Sequence, residues 1–205
     1  MDAGEHERDE EGERGAADPV ARLLARVRTG DADAAGELFE LVYGELRQRA
    51  QGLLAGQGPQ TLQATALVHE AWLKLHGPMT RGTDGSASRD RGHFLAVAAK
   101  AMRSVLIDHA RAKATLKRGE GRVLLDEALE AFGEHVPNML ELDEELERLS
   151  ELDPTLAELV ELRFFGGLTV DEVAAVQGSN RSAVERGWRT ARAWLAGRLT
   201  PPAEG

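Results

Sequence analysis

Apolar side chains recur at helical spacing through most of the chain. From Pro19 onward they lie three and four residues apart, which predicts a series of amphipathic helices. The first three apolar stripes are Val20, Leu23, Leu24 and Val27, then Leu38, Leu41, Val42, Leu46 and Ala50, then Leu67, Val68, Ala71 and Leu75. The signal DAD at residues 31–33 marks a helix start, and the segment TALVHEAWLKLH at residues 65–76 contains the third stripe. We therefore expect three helices before residue 77.

A fourth helix is predicted over about residues 93–113, and its two faces differ. The broad apolar face consists of Phe94, Leu95, Ala98, Ala101, Met102, Val105 and Leu106. Offsets of three, four and seven residues place a second stripe on another side, made of Lys100, Arg103, Ser104, Ile107 and Arg111. Residues 77–92, which precede this helix, are rich in Gly, Ser and Thr and predict a long loop.

A further helical block begins near Met139. Asp153 is placed as an N-cap and Pro154 at the first helical position, where its missing N–H costs nothing. Gly166 and Gly167 then end the helix, because glycine readily adopts the backbone conformation that follows a helical C-terminus. The pattern predicts one continuous helix from Pro154 to this glycine pair.

The last part of the chain has the signals of a helix-turn-helix. Thr169 and Glu172 match a capping box, the turn QGSN follows at residues 177–180, and Asn180 can cap a second helix. That helix has Val184, Trp188, Ala191 and Leu195 on its packing face and Ser182, Arg186, Arg189 and Ala193 on the opposite face. Because the second helix of such a motif enters the major groove, this block predicts DNA binding.

Composition favours an all-α protein. Aromatic residues make up only 4% of the 205 residues, and helix-forming Ala, Leu, Glu and Arg dominate. The absence of cysteine excludes disulfides and thiolate metal sites, and no apolar run approaches the roughly 18 residues of a membrane span. We expect a cytoplasmic protein with no membrane partner, no metal and no cofactor.

Charge is distributed unevenly along the chain, whose net charge is −10. Residues 89–122 carry +6 and residues 123–162 carry −12, so a basic zone is followed by an acidic one. The basic zone is compatible with nucleic-acid binding, which depends on Lys and Arg near phosphates. Residues 1–18 carry −6 and have no large apolar side chain after Met1, which predicts a disordered acidic tail.

These patterns predict two small helical domains. The first spans residues 19–113, and the second, a helix-turn-helix domain, spans residues 141–200. Residues 114–140 lose the helical periodicity and turn strongly acidic, so we expect a flexible acidic linker between the domains.

Motifs from both predicted domains resemble one family. The segments TLQATALVHEAWLKLHG, HFLAVAAKAMRSVLIDHARAKATLKRG, LDEELERLSELDP and VELRFFGGLTVDEVA are similar to those of bacterial RNA polymerase sigma factors of the extracytoplasmic-function (ECF) type, in the sigma-70 family. The resemblance covers about residues 20–199. It implies a transcription initiation factor whose partners are bacterial core RNA polymerase and promoter DNA. Members of the family are often held by an anti-sigma protein, although no residue here identifies one.

The resemblance also implies roles for individual residues. In the family, the first domain docks on the polymerase clamp and opens the minus-ten promoter element, while the second domain reads the minus-thirty-five element. The matching candidates for polymerase binding are Leu67, Glu70, Ala71, Leu73 and Lys74. The candidates for the minus-ten element are Lys100, Arg103, Ser104 and Arg111, and those for the minus-thirty-five element are Arg181, Ser182, Arg186 and Arg189. The acidic stretch at residues 126–145 is expected to imitate nucleic acid in the polymerase channel.

Three positions in the helix-turn-helix depart from expectation. Relatives more often have an apolar residue at the position of Gln177 and a basic residue at that of Glu185. Gly187, inside the second helix, costs about 1 kcal/mol in helix propensity relative to alanine. Because of these departures, the sequence does not predict which promoter sequence the protein would recognise.

Two other classes of function remain as alternatives. An autonomous helix-turn-helix regulator would bind duplex DNA tightly without polymerase, usually as a dimer on a palindromic site. An enzyme would need an active site, and His69, His93 and His109 do lie near Glu70 and Asp108 in sequence. However, the second histidine of a zinc-binding His-Glu-x-x-His helix is missing, so we expect no catalysis.

Overall fold

The computed structural model describes residues 18–31, 33–54, 62–81, 91–116 and 139–199. Its helices are α1 (Pro19–Arg28), α2 (Ala34–Leu54), α3 (Ala64–Arg81), α4 (Arg91–Leu116), α5 (Met139–Leu152), α6 (Pro154–Val160), a π-helix (Glu161–Phe165), α7 (Val170–Val176) and α8 (Arg181–Leu199). The all-α prediction is therefore confirmed. The predicted acidic tail before residue 18 and residues 117–138 of the predicted linker lie outside the described residues.

Side-chain caps begin the helices where the sequence predicted them. Asp31 Oδ1 accepts a hydrogen bond from the backbone N–H of Ala34, 3.3 Å away, at the start of α2. Asp153 Oδ1 accepts one from the N–H of Leu156 at 3.0 Å, with Pro154 at the first position of α6. Both caps satisfy backbone donors that have no partner within the helix.

The predicted loop at residues 77–92 overlaps two helices, and residues 82–90 lie outside the described residues. Helix α3 continues through residues 77–78 to Arg81, and α4 already begins at Arg91. The Gly-Pro pair at 77–78 disfavours a helix, because proline removes a backbone donor, but it does not end this one. Helix α4 likewise extends to Leu116, and α5 begins at Met139, so both helices include residues assigned to the predicted linker.

Helices α1 to α4 pack with their apolar stripes facing one another. All of the apolar face predicted for α4 is buried, as are Leu38, Val42 and Leu46 of α2. Leu41 differs from the prediction, since 48% of its surface is exposed. Its neighbour Val42 points into the core. Because successive side chains of a helix point about 100° apart, Leu41 points toward solvent.

The C-terminal helices pack onto α4, and the buried side chains of both halves form one continuous cluster. Gly166 makes this close packing possible, because a Cβ atom there would lie only 3.1 Å from the Cβ of Ala99 in α4. A Cβ on the neighbouring Gly167, whose φ is +61°, would lie 3.4 Å from Cγ of Arg49 in α2. The glycine pair therefore ends a helix and also meets the N-terminal helices.

The helix after Pro154 is not α-helical throughout, in contrast to the prediction. Helix α6 ends at Val160, and Glu161 to Phe165 form a π-helix whose turn holds one extra residue. The backbone N–H of Gly166 donates to the carbonyl of Glu161, 3.1 Å away. The adjacent Phe164 and Phe165 are both buried, with ring centroids 4.7 Å apart, while Glu161 is turned toward α4.

Candidate nucleic-acid and polymerase interfaces

The stripe predicted on α4 forms one wall of a polar cleft of about 380 Å³. Helix α4 contributes Lys100, Arg103, Ser104, Ile107, Asp108 and Arg111, and the facing wall consists of Asp143, Glu147, Ser150 and Glu161. The four minus-ten candidates therefore share one surface, as helical spacing requires. That surface faces carboxylates of the same chain.

Arg103 is the most enclosed cation of the stripe, with 16% of its side chain exposed. Its Nε and Nη2 donate to Asp143 Oδ1 at 3.0 and 2.7 Å, and Nη2 also donates to the Asp143 backbone carbonyl at 3.3 Å. Its Nη1 donates to Glu161 of the π-helix. The guanidinium is thus bound on two sides by carboxylates.

The other cations of the stripe are more accessible. Arg111 lies 3.3 Å from Asp143 Oδ2, and its side chain is mostly exposed. Lys100 is exposed and makes no ion pair within the described residues. A nucleic acid that approached α4 would therefore reach Lys100 and Arg111 before Arg103.

Lys74 of α3 joins the two predicted binding surfaces. Its Nζ donates to Ser104 Oγ at 2.7 Å and to Asp108 Oδ2 at 2.5 Å, both on α4. One candidate for polymerase binding is thus fixed against one candidate for the minus-ten element. Asp108, one helical turn after Ser104, completes this contact.

The polymerase-binding candidates on α3 fall into two groups. Leu67 and Ala71 are buried in the core, so they stabilise the fold and do not form part of a surface. Leu73 is 73% exposed, and Lys74 and Glu70 lie beside it at the surface. The carboxylate of Glu70 contacts His109 Nε2 of α4 at 3.2 Å.

The capping box at the start of the predicted helix-turn-helix is complete. The N–H of Glu172 donates to Thr169 Oγ1 at 3.2 Å, and the N–H of Thr169 donates back to Glu172 Oε2 at 2.7 Å. Desolvation alone would raise the pKa of Glu172, but the hydrogen bonds from Thr169, with the nearby Arg49 and Arg91, lower it below its ordinary value. The carboxylate at the start of α7 is therefore held in its ionised form.

The first turn of α8 presents a paired arginine. Asn180 Oδ1 accepts from the N–H of Ala183 at 2.9 Å, which confirms the predicted cap. Arg181 donates to Asp171 Oδ2 at 2.8 Å and to Glu185 Oε1 at 2.9 Å. Asp171, followed by Glu185, raises the pKa of Arg181 above its ordinary value. Arg181 is thus a fixed positive charge at the surface of the motif.

The remaining minus-thirty-five candidates lie on the exposed side of α8. Ser182, Arg186 and Arg189 are all exposed, whereas Val184 and Ala191 are buried. Helix α8 thus has one face toward the core and one toward solvent, as its periodicity predicted.

Comparison with known families decides between the predicted classes. The family model for ECF sigma factors matches residues 17–200. This chain belongs to the ECF sigma factor family. It is accordingly a transcription initiation factor and not an enzyme. A search of the curated proteins gives no match to it.

Two of the three departures noted in this sigma factor's predicted helix-turn-helix make contacts with α6. Gln177 donates from Nε2 to the backbone carbonyl of Thr155 at 3.0 Å, which ties the turn to α6. Gly187 allows α8 to approach α6 closely, because a Cβ there would lie 2.9 Å from Cδ1 of Leu159. Gly187 therefore lies where α8 packs against Leu159 of α6.

His69, which the sequence raised as a possible active-site residue, has structural contacts in this sigma factor. His69 Nδ1 lies 2.6 Å from the carbonyl oxygen of Thr65, and its ring packs on Phe39 and Tyr43. In the part of the chain that the structure describes, no group of three or more His, Asp or Glu side chains could hold a metal ion. None of the described helices is both long and apolar enough to cross a membrane.

The sequence did not identify the carboxylates that face α4. Asp143 and Glu161 lie 40 and 58 residues from Arg103 along the chain. Helical spacing relates only residues a few positions apart, so it could not pair these carboxylates with Arg103. The one signal in the sequence was that a basic zone is followed by an acidic zone. Asp143 belongs to the acidic stretch that was expected to imitate nucleic acid, and it contacts a basic group of its own protein.

Proposed function

We propose that this sigma factor binds bacterial core RNA polymerase through the exposed side of α3 and recognises a two-part promoter through α4 and α8. The family match over residues 17–200 carries this proposal, because it spans the helices of both halves. The proposed polymerase surface consists of Glu70, Leu73 and Lys74, which lie within about one turn of one another.

Helix α8 is proposed to read the minus-thirty-five element as duplex DNA. Arg186 and Arg189 are exposed near the N-terminal half of the helix, with Arg181 and Ser182 at its start. Arginine can bind a guanine edge with two hydrogen bonds or contact a phosphate as a cation. The capping box of α7 and the contacts of Gly187 hold the helix in a fixed orientation for such contacts.

Helix α4 is proposed to bind the opened minus-ten element. Lys100, Arg103 and Arg111 supply cations along one stripe, which suits the backbone of a single strand. Ser104 lies among them and provides a small hydroxyl group. Few aromatic side chains are available on this helix, so cations rather than stacked rings would supply most of the affinity.

The polymerase surface is testable with a matched pair of variants. Leu73→Glu should abolish most binding to core RNA polymerase in a fluorescence titration, because it places a charge in the centre of the proposed contact. Leu152→Glu is the control, since Leu152 is exposed to a similar degree, 69%, but lies at the end of α5. Equal binding by the two variants, both folded by circular dichroism, would refute the assignment of α3 as the polymerase surface.

A further inference from the structure

Glu185, the remaining departure noted from the sequence, lies on the exposed face of α8 among arginines. Arg181 precedes it by one helical turn, Arg189 follows it by one turn, and Arg186 is its neighbour along the chain. The side chain of Glu185 is 47% exposed. A carboxylate is repelled by phosphates, so an acidic residue at this position weakens DNA binding unless it makes a favourable contact of its own.

Arg181 holds the carboxylate of Glu185 in place. Its Nε donates to Glu185 Oε1 at 2.9 Å, and its Nη1 donates to Oδ2 of Asp171 in α7 at 2.8 Å. The guanidinium therefore bridges two helices, and it ties Glu185 to α7. Within the described residues, Glu185 Oε2 makes no hydrogen bond, so this oxygen remains available as an acceptor.

The face that carries Glu185 remains cationic in spite of this carboxylate. Between residues 181 and 190, the exposed side chains of α8 include three arginines and a single glutamate. Arg189 is also close to Glu185, because its Nε donates to the Glu185 backbone carbonyl at 3.4 Å. Phosphates are therefore still attracted to this face, and the arginines offset the repulsion between Glu185 and DNA.

The chemistry of a carboxylate limits which base it can read. An ionised carboxylate only accepts hydrogen bonds, and the major groove offers two base donors, the N4 amino group of cytosine and the N6 amino group of adenine. The adenine amino group lies beside the acceptor N7, which repels a carboxylate, and cytosine has no such acceptor at this edge. A carboxylate in the major groove therefore favours cytosine.

The position of Glu185 in α8 suits contact with a base. It is the fifth residue of the helix, and the N-terminal part of a recognition helix is the part that meets base edges. We infer that Glu185 reads one cytosine of the minus-thirty-five element, with Arg181 as the positioning residue that orients its carboxylate. The inference rests on the proposed role of α8 in duplex recognition. Arg186 and Arg189 remain available for phosphates and for other bases.

The test measures base preference in transcription by the complete complex of this protein with core RNA polymerase. One promoter fragment that the unmodified protein transcribes is randomised in its minus-thirty-five region, and a transcribed barcode identifies each version. Glu185→Gln is the main variant, because a glutamine amide both donates and accepts and can bind N6 and N7 of adenine. Glu144→Gln is the control, since it makes the same change in net charge at an exposed position of α5.

We expect the unmodified protein and the Glu144→Gln control to prefer cytosine at one position by about tenfold, the effect of one good base contact. In Glu185→Gln the preference at that position should change to adenine, while preferences at the other positions stay the same. Asp171→Asn removes one partner of Arg181. This variant should weaken the cytosine preference by about two- to fivefold, without creating a preference for adenine, because it loosens an exposed ion pair.

The outcomes separate this inference from the proposed function. Loss of the cytosine preference at one position in Glu185→Gln supports the inference, and a gain of adenine there supports it further. Base preferences identical to those of the control would overturn it and leave the proposed function intact, even if total transcription decreased. An unchanged preference in Asp171→Asn would overturn the positioning role of Arg181. No initiation by the unmodified protein with core polymerase would refute the proposed function, and the inference with it.

Discussion

Single glycines set how closely helices of different halves can approach. At Gly166, a Cβ atom would lie 2.5 Å from the carbonyl oxygen of Leu162 and 3.1 Å from the Cβ of Ala99. A backbone atom cannot move aside as the end of a side chain can, so no substitution is accommodated there without a shift of the turn. A side chain at position 166 would therefore disturb both the end of the π-helix and its contact with α4.

Gly166→Ala is expected to lower the free energy of unfolding by about 1–3 kcal/mol, the usual cost of overpacking a buried site. Gly44→Ala is the matched control, because Gly44 lies within α2 and a Cβ there meets nothing within 4 Å. That change should stabilise the protein by about 0.5–1 kcal/mol through helix propensity. Urea unfolding followed by circular dichroism measures both, and a Gly166→Ala protein as stable as the Gly44→Ala protein would contradict the close approach.

At the scale of the element, the capping box at the start of α7 makes the stability of the folded protein depend on pH. The folded-state pKa of Glu172 is lowered, so its ionised form stabilises the folded protein. This contribution is fully present above the ordinary carboxyl pKa of 4.5 and is lost as the pH falls through the lowered folded-state value. The charge also suits the N-terminal end of a helix.

Glu172→Gln isolates this charge, because glutamine can still complete a capping box. We expect the variant to be less stable than the unmodified protein near neutral pH, with a difference that shrinks as the pH falls below 4.5 toward the lowered pKa. Denaturant titrations of both proteins across this range measure it. A difference that is independent of pH would show that the ionised carboxylate does not contribute.

The elements differ in how far the sequence could predict them. Helix starts depend on side chains within a few residues, so Asp153, Thr169 and Asn180 were correctly identified as caps. The apolar face of α4 was likewise predicted from its period. The π-helix was not, because its extra residue per turn accompanies the packing of Phe165 and Glu161 against a distant helix.

Helical periodicity predicted which residues of the candidate site share a face of one helix, and nothing more about the site. Helical spacing placed Lys100, Arg103 and Arg111 on one surface, which the structure shows as one wall of a cleft. Periodicity could not say that Leu67 is buried, since the apolar half of an amphipathic helix faces either a core or a partner. It also could not supply Asp143, because contacts between distant segments are set by tertiary packing.

At the scale of the whole molecule, a chain of net charge −10 combines two helices that we propose to bind DNA with a large acidic excess. The structure relates the two, since carboxylates of the acidic zone are paired with the cations of α4. We expect such pairing to lower the affinity of the isolated protein for DNA, because counter-ion release from phosphates needs unpaired cations. Sequence-specific binding is then expected mainly in the complex with polymerase.

The most direct test of the proposed function is run-off transcription with bacterial core RNA polymerase on a library of promoter fragments, with and without this protein. We expect protein-dependent initiation from fragments that share a two-part element, with one part near minus ten and the other near minus thirty-five. Failure to bind core polymerase, together with tight binding of duplex DNA by the protein alone, would contradict it and indicate an autonomous regulator.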